Sequence, residues 1–253
     1  MTKHAALNLF SRFVAGCTLA VLAQSVHAQT VRLHGAVSLE KLLVPQKAAL
    51  EAQSGLKLEI IGNGAGRGLV DLSGGQTDIA MIGGSLQGVA DVMNKEKPGS
   101  VDASGMKEIP LARVKLVTIT HAGVGVKSLT TVQLGEVLSG KAANWKDVGG
   151  PDLPIKVVVP FTGDGARITV QETLLKGAAF APGAIVRNSA KDICVVVAQL
   201  PGACAVLSVK NVEGKVASVD MEKELTMPLQ LVVKGDPAGD VKKVVAAAQA
   251  LIK

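Results

Sequence analysis

The apolar positions of this chain fall into short runs that alternate between a strand-like and a helix-like period, with glycine-rich turns between them. Residues 30–33 read as a strand. Ser38 is then placed as the N-cap of a helix to about Gln53, which carries Leu39, Leu42, Leu43, Ala49 and Leu50 on one face and ends at Gly55. Residues 56–61 predict a second strand, 66–72 a helix and 77–82 a strand of buried composition; Gly83-Gly84-Ser85 opens a helix through Met93, and 94–105 is a loop. Further on come an apolar strand at 114–120 and a helix to Leu138 that starts from Thr130 and Gln133 at capping-box spacing. A polar loop over 140–150 holds the only tryptophan, Trp145. A strand at 155–159, a helix at 167–176, an apolar element at 192–199 and strands at 203–209 and 229–233 lead to a C-terminal helix, where Val241, Val244, Val245, Ala248, Leu251 and Ile252 share one face. Strand alternating with helix predicts an α/β fold with parallel pairing through right-handed crossovers.

Three of the strand-to-helix turns have the composition of a binding site. Ile60-Ile61-Gly62-Asn63-Gly64-Ala65-Gly66-Arg67-Gly68 ends a strand and opens a helix, Gly35-Ala36-Val37-Ser38 follows the first strand, and Thr162-Gly163-Asp164-Gly165-Ala166-Arg167 follows the strand at 155–159. Glycines permit positive φ and close backbone approach. The first N–H groups of a helix have no internal partner and point outward with the positive end of the dipole. The three turns are therefore expected to converge on one small ligand, with Asn63 adding a side-chain amide. The bland alternative for each is a tight connection.

Lys3 and Arg12 precede an apolar run over 13–23, and the segment ends Val26-His27-Ala28, the pattern of a secretory signal peptide cleaved after Ala28. Val14-Ala15-Gly16-Cys17 has a lipobox look, but Cys17 lies inside the apolar run with almost no hydrophobic segment before it. Removing Lys3 and Arg12 from 27 basic residues leaves 25 against 21 acidic, a net +4 spread without blocks. That does not suggest nucleic acid, which calls for clustered Lys and Arg with interleaved aromatics. The mature chain has no Tyr and keeps only Phe161, Phe180 and Trp145 as aromatics. Large organic ligands are usually held on aromatic faces, so the scarcity favours a small solute held by backbone and polar groups. Cys194 and Cys204 remain in a disulfide-permitting compartment; a bond between them is the preferred reading, and two buried thiols the other.

His34 and His121 are the mature histidines, with no nucleophile elbow, metal-ligand spacing or Cys–His pairing. They read as structural, as do Asp71 on a helix surface and Asp78 at a strand start, so no enzyme, cofactor or metal is expected.

Four pieces carry a resemblance that covers most of the mature chain. They are Gly62-Asn63-Gly64-Ala65-Gly66 with Asp78-Ile79-Ala80, Ser128-Leu129-Thr130 through Lys141 to Asn144-Trp145-Lys146-Asp147, Pro201-Gly202-Ala203, and Met227-Pro228-Leu229-Gln230-Leu231-Val232-Val233. Together they resemble the phosphate-binding protein of bacterial phosphate importers, a type II periplasmic binding protein. The resemblance implies mixed sheets flanked by helices in two lobes joined by two hinge crossings, residues 29–116 with 212–253 against 117–211. It also implies a monomeric periplasmic receptor for a small solute, delivering to an ABC importer permease.

The departures from the family fall at the ligand. Its third turn resembles Arg-x-Asp-Gly-Ser-Gly-Thr, whereas this chain has Pro160-Phe161-Thr162-Gly163-Asp164-Gly165-Ala166; its Ser-Asp-x-Pro-Leu aligns with Ile82-Gly83-Gly84-Ser85-Leu86. Asp164 stands where a Ser donates to the anion. The candidate ligand residues are therefore Ala36, Val37, Ser38, Asn63, Gly64, Ala65, Arg67, Gly84, Ser85, Phe161, Gly163, Asp164, Gly165, Ala166 and Arg167. The ligand expected is small and anionic or zwitterionic, with phosphate weak; the alternatives are a genuine oxyanion receptor or a periplasmic sensing domain.

Overall fold

A computed structural model describes residues 30–252. The proposed signal peptide and Cys17 lie outside them. In chain order the strands and α-helices are β1 (Thr30–Gly35), α1 (Val37–Leu43), α2 (Lys47–Ser54), β2 (Lys57–Ile61), α3 (Ala65–Ser73), β3 (Ile79–Gly83), α4 (Leu86–Glu96), β4 (Met106–Thr120), β5 (Ser128–Leu129), α5 (Thr131–Ser139), β6 (Lys156–Pro160), α6 (Gly165–Thr173), β7 (Ile185–Arg187), α7 (Ala190–Gln199), β8 (Ala203–Ser208), β9 (Ala217–Met221), β10 (Leu225–Lys234) and α8 (Gly239–Leu251).

The sheet runs β2-β1-β3-β10-β4-β8-β6-β7, with β9 beside β4 and β5. Pairing is parallel for β1 with β2 and β3 and for β6 with β7 and β8, as the strand–helix alternation requires. It is antiparallel along β10 and β4, so the sheet is mixed. β4 is the strand that joins the two halves: its residues from Met106 to Leu116 pair with β10, and those from Leu116 to Thr120 pair with β8. Leu225, the first residue of β10, lies opposite Leu116, so β10 starts beside β4 at the junction.

Local chemistry explains the breaks. The helix expected over 38–53 is two helices, because Pro45 has no N–H and the chain takes a 3-10 turn over Val44–Gln46. Gly55 ends the second in the left-handed region at φ 71°. Thr130 and Gln133 form the expected reciprocal capping box on α5.

Cys194 and Cys204 are both free and buried, so the expected disulfide is not present. The reason is the two-residue period of β8. Ala203, Ala205 and Leu207 face α7 and pack with Ile193, Cys194 and Val197, whereas Cys204 and Val206 face the opposite side, toward Val157 and Val159. The sheet therefore stands between the two thiols.

Candidate functional site

The ends of β1, β2 and β6 meet at the junction of the two halves, and their turns are bonded to one another. Gly64 donates its N–H to the Gly35 carbonyl at 2.8 Å, and Gly66 donates to the Gly163 carbonyl at 3.0 Å. Glycine is required at two of these contacts. Gly64 sits at φ 100°, where an added Cβ would stand 2.7 Å from the Phe161 ring, and one on Gly68 would stand 2.3 Å from the His34 carbonyl oxygen.

Around this meeting point is a cavity of about 380 Å³. One side is lined by Ala36, Val37, Ser38, Asn63, Gly64, Ala65, Gly83, Phe161, Asp164, Gly165 and Ala166. Ten of the candidate residues are thus brought together, while Arg67, Gly84, Ser85, Gly163 and Arg167 stand outside the lining. Ser85 caps α4 through the Gly88 N–H and donates to Glu172 Oε1 at 2.7 Å. Gly84 and Gly163 pack behind the cavity, against α6 and Met93 respectively. The Arg67 side chain is 71% exposed and reaches only toward Asp71, at 3.8 Å. Arg167 donates to the Pro160 carbonyl at 2.8 Å and lies over the Phe180 ring, 5.5 Å from its centre.

The polar groups of the turns are largely engaged with each other. Asn63 donates its side-chain amide to Asp71 Oδ2 at 2.9 Å, and the same oxygen is 2.9 Å from His34 Nδ1. Asp71 is accordingly 6% exposed, a buried organiser of the second turn and not the surface carboxylate its helix position suggests. His34 is the hydrogen-bonded structural residue expected. Asp78 forms a forked pair with Arg32 and also accepts the Arg32 backbone N–H, which holds its carboxyl below the usual range.

Asp164 has a specific geometry. It is the N-cap of α6, and its Oδ1 accepts from the N–H groups of Ala166 at 2.8 Å and Arg167 at 3.2 Å. Among the described residues, no hydrogen bond or ion pair reaches Oδ2. Burial pushes the carboxyl up, against the opposing pull of the two helix N–H groups and of the Arg167 charge. Desolvation likewise lowers the Arg167 guanidinium.

The other side of the cavity went unread in the sequence. Lys41 stands at one rim; Asn188, Ser189, Ala190, Lys191 and Ile193 come from the start of α7, and Leu207, Ser208, Asn211, Glu213 and Met227 also line it. Ser189 caps α7 through the Asp192 N–H. The Ser-x-x-Asp spacing was the available signal, and it would have moved the start of this helix back to the cleft. Ser208 Oγ and Asn211 Oδ1 are buried without a partner in this wall, although Asn211 donates its amide across the cleft to Ser38 Oγ at 3.2 Å. The lining carries two bases, Lys41 and Lys191, and two acids, Asp164 and Glu213. Among the described residues no cluster of three or more His, Cys, Asp or Glu is placed to hold a metal ion, and no helix is long and apolar enough to cross a membrane.

The family model described as a PBP superfamily domain matches residues 23–250. The phosphate-binding protein PstS of Bacillus subtilis is 28% identical over 180 residues, which is 71% of this chain and 57% of that protein. The chain thus spans little more than half the length of that relative. A putative phosphate ABC transporter substrate-binding protein from Clostridium perfringens, solved with bound phosphate, superposes with a TM-score of 0.72 at 24% identity, covering 87% of this chain and 92% of that one. An ABC-type phosphate transport receptor from Vibrio cholerae gives 0.67 at 22% identity, covering 87% and 94%. These two share the two-lobed fold with this chain.

Proposed function

The chain belongs to the PBP superfamily, and from that membership we propose that it is a periplasmic solute receptor, phosphate-binding-protein-like, that captures a small anionic or zwitterionic solute between two lobes and presents it to an ABC importer permease. Residues 1–28 are its export signal, removed after Ala28. Residues 29–116 and the C-terminal segment form one lobe, and the chain from 117 forms the other. Pairing of β9 with Thr118–Thr120 supports carrying the second lobe through Met221, beyond the boundary at 211 that the sequence suggested. The hinges are then the paired crossings of β4 and β10 at Leu116 and Leu225. The protein acts by binding, with no catalytic step assigned to any residue.

The observation that carries this reading is the cavity at the junction of the two halves, where three strand-to-helix turns meet. Its volume is that of a small-molecule site. Of the candidate residues, Ala36, Val37, Ser38, Asn63, Gly64, Ala65, Phe161, Asp164, Gly165 and Ala166 are assigned to the ligand wall.

The test is a thermal-shift screen of the exported protein over inorganic oxyanions, carboxylates, amino acids and small amines. A ligand at a hundred times its dissociation constant adds about 2.7 kcal/mol of stability. A stabilising solute is the expected result, and a panel without one removes the receptor reading.

A further inference from the structure

We propose that the solute is an organic zwitterion whose protonated amine is held by Asp164 beside the Phe161 ring. This rests on the receptor reading and narrows it.

The first ground is the unmatched carboxylate. Asp164 lines the cavity, yet only its Oδ1 has partners, and both are N–H groups of its own helix. A Ser or Asn would cap α6 equally well without bringing a charge into the cleft. The base nearest in sequence, Arg167, is turned away to the Pro160 carbonyl and the Phe180 ring. Asp164 is half-buried, and its second oxygen lines the cavity with no hydrogen-bond or ion-pair partner, so an ammonium supplied by the ligand is the partner of matching charge.

The second ground is the state of the anion donors. The N–H groups of Gly64 and Gly66 are given to carbonyls of the neighbouring turns, and those of Ala166 and Arg167 are given to Asp164. Four N–H groups of the turns are thus already engaged, which reduces what they offer an oxyanion.

The third ground is shape. The cavity holds about 380 Å³ and includes Phe161, Ile193, Leu207 and Met227 in its lining, an apolar surface that inorganic phosphate cannot use. An aromatic face next to a carboxylate also suits an ammonium. Lys41 and Lys191, both exposed at the rim, are the groups a carboxylate end would meet.

The experiment titrates the ligand-stripped exported protein with pairs of probes that differ only by the amine: 4-aminobutyrate against butyrate and glycine against acetate, with inorganic phosphate as a further arm. The expected result is stabilisation by an amine-bearing member and none by its partner. Asp164→Asn keeps the helix cap and should weaken the best amine by about a hundredfold, without lowering the melting temperature of the free protein. Tight binding of phosphate or of a carboxylate without an amine, or an Asp164→Asn variant that holds the amine as well as the parent does, overturns the inference and leaves the receptor reading standing. Stabilisation by no arm here and by no member of the broader screen overturns both.

Discussion

Inorganic phosphate should bind this cavity only at millimolar concentration or above, although relatives of the chain are phosphate-binding proteins. Micromolar binding requires about 8 kcal/mol. In this structure two N–H groups at the start of α6, those of Ala166 and Arg167, are occupied by Asp164 Oδ1. Each such donor to a charged acceptor is worth about 1.5–3 kcal/mol, so an anion arriving here forgoes roughly 3–6 kcal/mol. It would also face the Asp164 carboxylate. Two like charges about 4 Å apart repel by about 4 kcal/mol at the effective dielectric of such a site. Either effect alone carries a micromolar ligand to roughly millimolar. Asp164→Ser keeps a cap, frees one N–H and removes the charge, and should tighten phosphate by at least about a hundredfold. Isothermal titration of stripped parent and variant measures both. Micromolar phosphate binding by the parent, or a variant that binds no tighter, would refute the electrostatic argument and restore the phosphate-receptor reading.

Three further outcomes concern stability and reactivity. Because burial pushes the Asp164 carboxyl up, this group favours the folded state below the ordinary aspartate range and loses that contribution as pH rises through its folded value. The stabilisation by Asp164→Asn should therefore be larger at pH 7 than at about pH 3, and a pH-independent difference in urea midpoints contradicts this. Trp145, fully buried with its Nε1–H donated to the Gly202 carbonyl at 2.9 Å, should cost about 3–5 kcal/mol when replaced by Ala; a loss under about 1 kcal/mol in denaturant unfolding would mean that the ring is not packed as described. Cys194 and Cys204 should both alkylate without reductant once the protein is unfolded, and Cys204, its thiol pushed up to about 12 by burial, should stay inert in the native state. A mass showing a bonded pair would overturn the placement of the two thiols on opposite faces of β8.

Much of the fold was legible because its punctuation is local. Gly55, Thr130 with Gln133, and the strand-to-helix turns act through φ angles and caps that depend on a few adjacent residues. What was missed depends on partners far away in sequence. Of β4, only 114–120 was read as a strand, because Lys107, Glu108, Pro110 and Arg113 interrupt its first half. Those residues are exposed positions on a strand held by β10, and Pro110 sits where the register shifts between Leu229 and Gln230, a place where a missing N–H is tolerated. β9, with a single fully covered position, is likewise defined by β4 and β5 and not by its own pattern.

The site divides along the same line, and this bears on how the ligand is to be sought. Glycine-rich turns announced themselves, and their meeting is seen in the bonds between Gly64 and Gly35 and between Gly66 and Gly163. Their composition did not disclose that this meeting engages several of the donors that made them look anion-binding. A helix N-terminus offers its N–H groups only while nothing in the chain has taken them. Asp164 takes two at α6, and Gly163 takes one at α3. The identity of Asp164 was visible, but whether its carboxylate faced the cleft or its own helix was a matter of rotamer. The structure gives one oxygen to the helix and leaves the other without a partner. On the zwitterion proposal, selectivity rests on that oxygen, on Phe161 and on the α7 side of the cleft, which the glycine pattern had no means to indicate.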